Sequence, residues 1–178
     1  MKKNKISTNL TLGLLLAASV GSLQAADVSV KCDKKSLADA ISKLDPAEPN
    51  TVNITSDCNE DIVISGHANL TMIGSGGASI TASVIDPGLG LPLTNAVTVE
   101  NSKVTLQNLT VNAGNIGVAC THSNCVLRDV NVVGGQSGVT AQDQTDMDIF
   151  GSSSITGSQG TGVAAYGASN INIKPNWY

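Results

Sequence analysis

Val97, Val118, Val139 and Val163 recur at spacings of 21, 21 and 24 residues, and the last three each follow a glycine, Gly117, Gly138 and Gly162. A chain that repeats itself at this period is committed to stacking one supersecondary unit on the next, because a single copy cannot bury its own apolar face. Within each copy, apolar and polar residues alternate over a few positions. One copy reads Val97-Thr-Val99, Val104-Thr-Leu106 and Leu109-Thr-Val111; the next reads Val118-Ala-Cys120, Cys125-Val-Leu127 and Val130-Asn-Val132. Val139-Thr-Ala141 with Met147-Asp-Ile149 and Ile155, then Val163-Ala-Ala165 with Ile171-Asn-Ile173, continue the series.

Period-two alternation means strands with one face buried, and the Gly, Asn, Ser and Asp between them mean turns. Two or three very short strands per repeat do not suit antiparallel hairpins. They suit a coil that returns onto itself, so that matching positions stack as parallel strands about 4.8 Å apart. The expected fold is therefore all-β: a right-handed parallel β-helix, a solenoid of about five coils. Its expected inward columns are Val97/Val118/Val139/Val163, Val99/Cys120/Ala141/Ala165 and Leu106/Leu127/Ile149/Ile173. The competing architecture is a β-sandwich, which also shows short strands at regular spacing. Phe, Trp and Tyr together make only 2% of the chain, so the core must be built from Val, Ile, Leu and Ala, and large aromatic binding platforms are excluded. A mean hydropathy of +0.11 argues against a chain too polar to fold.

Upstream, Val52-Asn-Ile54, Ile62-Val-Ile64, Leu70-Thr-Met72 and Ile80 continue the pattern less regularly, and Ser83 to Ala96, with Asp86-Pro-Gly and Leu91-Pro, reads as an excursion loop. Ser36-Leu-Ala-Asp39 reads as a capping box opening a short amphipathic helix, with Leu37, Ala40, Ile41 and Leu44 along one face and Pro46 beyond its end. Such a helix is expected to lie across the first coil and hide its apolar end. The division expected is a signal peptide over 1–25, an N-terminal strand and capping helix over 26–50, the β-helix over 51–173 and a tail over 174–178.

This order of elements, with Asn69-Leu-Thr-Met-Ile-Gly74-Ser-Gly76 in an early coil, resembles the pectin-lyase-like right-handed parallel β-helix superfamily over about residues 28–173. The resemblance implies a fold found in pectate and pectin lyases and polygalacturonases. Their signatures, Trp-Ile-Asp-His, paired Asp-Asp and Gly-His-Gly, do not occur here. The expected function is accordingly a non-catalytic carbohydrate-surface or structural module, read as a short member and the N-terminal part of a longer ancestor. The alternative is a polysaccharide lyase or glycoside hydrolase acting on acidic polysaccharide.

Lys2, Lys3 and Lys5, the apolar run Leu10 to Ala18, and Gly21, Ser22, Ala25 and Ala26 have the order of a secretory signal cleaved after Ala25 or Ala26. The run is too short and interrupted for a membrane anchor, so a secreted or periplasmic protein with no transmembrane segment after signal removal is expected. The remaining chain holds seven Lys and Arg against fourteen Asp and Glu, a formal net charge of −7, which disfavours nucleic acid as a partner. Four cysteines in an exported chain suggest two disulfides. Of the three possible pairings, the one expected joins Cys32 to Cys58, which would fasten the helix to the first coil, and Cys120 to Cys125 across a four-residue turn. Zinc is the weaker reading, since no Cys-x-x-Cys occurs.

One constellation invites chemistry. In Thr145-Asp146-Met147-Asp148-Ile149 the inward Met147 and Ile149 force Asp146 and Asp148 outward, and stacking brings Arg128 and Lys174 onto neighbouring coils of the same sheet. Two carboxylates near an Arg suit Ca²⁺, an acidic sugar or acid–base work. Against this, every outward position of a soluble sheet must be polar, which makes solvated surface the plainer reading; no cofactor or metal is assigned, and no catalytic residue. His67 and His122, flanked by turn residues, read as solvated. The tail is too short for a helix, so Trp177 and Tyr178 are expected either to fold over the last coil or to leave it open for self-association.

Overall fold

In the computed structural model, which describes residues 25–83 and 94–174, the alternating segments of the repeat are strands. All but the last residue of the expected signal peptide, most of the Ser83–Ala96 loop and the pair Trp177 and Tyr178 lie outside the described residues. Strand β1 (Ala26–Val30) and helix α1 (Leu37–Ile41) come first. Coil 1 is β2 (Pro49–Ile54), β3 (Cys58–Asn59) and β4 (Ile62–Ser65); coil 2 is β5 (Asn69–Gly74), β6 (Ser79–Thr81) and β7 (Val97–Glu100). Coil 3 is β8 (Lys103–Gln107), β9 (Thr110–Asn112) and β10 (Ile116–Thr121), and coil 4 is β11 (Asn124–Arg128), β12 (Asn131–Val133) and β13 (Ser137–Gln142). Coil 5 is β14 (Asp146–Phe150), β15 (Ser154–Thr156) and β16 (Thr161–Ala165), and β17 (Asn170–Lys174) follows it.

Three parallel sheets result. One has seven strands, β1-β2-β5-β8-β11-β14-β17; the others have five each, β4-β7-β10-β13-β16 and β3-β6-β9-β12-β15. The chain is a parallel β-solenoid of five complete coils with a further strand at each end, about six turns against the five expected. The sandwich alternative fails on strand direction, because each neighbour pair is parallel and separated by one coil.

The expected columns hold residue by residue. Val118 pairs with Val97 and Val139, and Val139 with Val163. Leu127 pairs with Leu106 and Ile149, and Ile149 with Ile173. Val52, Met72, Leu106, Leu127 and Ile149 are buried along one column, whereas Ile173 at its far end is 64% exposed. The third sheet adds a single column, Cys58, Ile80, Val111, Val132 and Ile155. At Gly117 and Gly138 the glycine before the repeated valine is explained by this narrow interior. A Cβ on Gly117 would strike Val132 Cγ1 and lie 2.6 Å from the Gly138 carbonyl oxygen; on Gly138 it would strike Ile155 Cγ2. Facing sheets approach too closely there for any side chain.

Helix α1 is short and borders β1 and β4, with Leu37, Ala40 and Ile41 in the same core cluster as the coils. The Ser36 hydroxyl accepts from the Asp39 N–H at 3.2 Å, which is the N-cap half of a capping box. Both disulfides form as expected, Cys32–Cys58 and Cys120–Cys125. Cys120 and Cys125 are inward and buried, joining the end of β10 to the start of β11 inside the corner. Among the described residues no helix is long and apolar enough to cross a membrane.

Candidate functional site

The outward face of the seven-stranded sheet displays side chains in rows, because matching positions repeat one strand spacing, about 4.8 Å, from coil to coil. One row runs Gln107, Arg128, Phe150 and Lys174. The Arg128 guanidinium carbon lies 5.5 Å from the Phe150 ring centroid and the Lys174 ammonium 4.9 Å from it, so the chain's only phenylalanine is bracketed by two cations. Such contacts are attractive through the ring quadrupole. Lys174 Nζ also pairs with Asp148 Oδ1 at 3.0 Å, with both side chains partly exposed, an arrangement worth little in stability. Arg128 has no carboxylate partner among the described residues.

Asp146, Asp148, Arg128 and Lys174 are therefore brought onto one face, as expected, but not to one point. Asp146 and Asp148 sit two residues apart on β14, about 6.6 Å along the strand, and turn to different partners. Asp146 Oδ1 accepts from Asn170 Nδ2 at 3.1 Å, while Asp148 accepts from Lys174. Sequence reasoning missed Phe150, the residue that organises the cations; its signal was the continuation of the Asp146-Met-Asp-Ile alternation by one more outward position.

Two outward rows away, with the Thr105, Val126, Asp148 and Asn172 row between, stand Lys103, Asn124, Asp146 and Asn170, each at the head of its strand, next to the corner where the chain turns in from the β4 sheet. That corner is built from a hydroxyl ladder. The backbone N–H groups of His67, Ser102, Ser123 and Thr145 donate in turn to the side-chain oxygens of Ser102, Ser123, Thr145 and Ser169, at 3.0 to 3.2 Å. Inward turn residues are thus satisfied one coil further on. Asn101, His122 and Asp143, the residues that make the bend, take left-handed φ of 48°, 49° and 47°, a conformation Asn, Asp and His tolerate best.

The histidines part company here. His122 is exposed at the bend, as expected. His67, expected to be solvated, is only 6% exposed, because it occupies the inward position that Ser102 and Ser123 hold in the next coils. Burial lowers its pKa from the ordinary value near 6.5, which favours the neutral ring.

No family model matches this chain, and no curated protein matches it.

Glu60 is a second residue the sequence did not single out. Its carboxylate accepts from the Leu37 N–H at 2.6 Å, the Ala38 N–H at 3.3 Å and the Ser36 hydroxyl at 2.6 Å, satisfying the donors at the start of α1 from coil 1. Among the described residues, Cys32, Cys58 and Glu60 are the one group of three metal-type ligands gathered together, but both sulfurs are consumed by the disulfide. The site is an anchor for the helix.

Proposed function

We propose that this protein is an exported, non-catalytic carbohydrate-surface module of pectin-lyase-like ancestry, which lays a glycan along its seven-stranded face. The observation that carries the reading is the Arg128–Phe150–Lys174 row. A parallel sheet presents it among short amide and hydroxyl side chains, Thr71, Thr105 and Asn172, which donate to and accept from sugar hydroxyls. Arg128 supplies a planar donor fork for a sugar carboxylate, and the exposed part of Phe150 supplies apolar surface for a sugar ring. Export is supported by two disulfides in a small domain, which persist in oxidising compartments.

Calorimetric titration of the protein with polygalacturonate and alginate tests this. Saturable binding is expected, weakened roughly tenfold by Arg128→Ala as for loss of a charge-assisted hydrogen bond, with no growth of the ultraviolet absorbance of an unsaturated product. Absence of binding to either polymer sinks the reading. A steady rise in that absorbance transfers the protein to the lyases instead.

A further inference from the structure

At the corner beside this face lies a shallow, open groove of about 430 Å³. It gathers both histidines of the chain with Lys103, Asn124, Gln144 and Asp146, and its lining is polar almost throughout. His67 Nδ1 is sealed from solvent and has no hydrogen-bond partner among the described residues. A proton on that nitrogen would be buried without an acceptor, so the neutral ring carries its proton on Nε2. Lys103 and Asp146 supply one charge of each sign, so the groove has no net charge with which to hold phosphate or a uronate. Nor do its His and Asp ligand atoms gather as a metal site does, the described residues offering only the cluster at Cys32, Cys58 and Glu60.

What matches such a lining is a ligand that is neutral and both donates and accepts at closely spaced positions. Sugar hydroxyls do this. Asp146 is an acceptor only, Lys103 a donor only, and Asn124 and Gln144 are both. Lys103, Asn124 and Asp146 stand in register on β8, β11 and β14, so they form a shared wall between the groove and the seven-stranded face. We propose that the groove binds a neutral sugar unit of the glycan whose acidic units lie along the Arg128–Phe150–Lys174 row. The inference rests on the carbohydrate reading above and narrows its ligand class to a polysaccharide that carries neutral as well as acidic units.

The test compares two variants with the parent protein on two sets of probes: polygalacturonate, and neutral galactan, mannan and cello-oligosaccharides. Asn124→Ala is in the groove wall and exposed; Arg128→Ala is on the face. Asn124→Ala is expected to weaken binding of a neutral oligosaccharide roughly tenfold while leaving polygalacturonate within about twofold. Arg128→Ala should do the reverse. The reciprocal pattern separates ligand contact from damage to the fold, which would lower both. The groove is excluded if Asn124→Ala binds every neutral probe as the parent does, or if the parent binds polygalacturonate and no neutral probe; in both cases the face reading survives. If the parent binds no probe of either kind, the carbohydrate reading fails and the groove with it.

Discussion

Val52 in β2 and Ile173 in β17 occupy one column of one sheet, yet Val52 is fully buried and Ile173 is 64% exposed. Their neighbours make the difference. Beside coil 1, β1 pairs with β2, Leu37, Ala40, Ile41 and Leu44 join the core, the Cys32–Cys58 bridge ties the two together, and Glu60 holds the start of α1. At the other end, among the described residues, no strand pairs with β17 on its far side, Ala165 is exposed, and Val163 and Ile171 are only partly buried. In a solenoid an inward side chain is buried by the coils above and below it. Pointing inward is necessary and not sufficient.

The largest effect expected from this comparison comes from moving one substitution along the column. Leu127→Asp puts a charge between Leu106 and Ile149 with no partner, and should abolish cooperative thermal unfolding followed by circular dichroism. Ile173→Asp, in the same column, should shift the melting temperature little. Equal damage from the two would mean that burial does not fall toward β17.

Next in size is the bridge. Replacing Cys32 and Cys58 together by Ala opens a loop with a sequence separation of 26 and should cost about 3.5 kcal/mol in the loop-entropy model. Opening Cys120–Cys125, with a separation of 5, should cost about 2 kcal/mol in the same model. Denaturant titration of both double variants checks the order, and a larger loss for the inner pair would contradict it.

A finer probe uses the glycine column. Gly138→Ala drives a methyl group into Ile155 and the Gly162 carbonyl oxygen and should destabilise by about 1–3 kcal/mol, as overpacking does. Gly162→Ala meets only Ile155 Cγ2, at 4.0 Å, and should be near neutral in the same denaturant titration. Similar losses at both positions would mean that the last coil is as tightly enclosed as the fourth.

The smallest effect is expected from His67, whose lowered pKa means that the unfolded chain binds a proton that the folded chain resists. Its contribution is therefore fully present above pH 6.5, the ordinary value, and is lost as pH falls through the lower folded value. Lys103, His122 and Asp146 share its groove. Melting temperatures from pH 7.5 downward should fall less steeply in His67→Gln than in the parent. Parallel profiles would show that His67 is not the group responsible.

The strand positions, the inward columns and both disulfides were legible because each rests on local sequence: period-two alternation, a recurring Gly-Val pair, and cysteines spaced so that stacking brings them together. Even Gly138 announces itself by recurring before a valine, since a close approach of facing sheets is one of the places that requires a residue without a side chain. Phe150, His67 and Glu60 were not legible in this way. Phe150 acquires its two cations only when β11, β14 and β17 fall into register, residues more than twenty positions apart along the chain. His67, between Gly66 and Ala68, has the local look of a solvated turn, and its burial follows from the hydroxyl ladder that continues its position through Ser102 and Ser123. Glu60 serves a helix 23 residues earlier. Alternation decided which way each side chain points, because the pleat is a property of the backbone of one strand; stacking decided what each one meets, because that depends on the coils beside it.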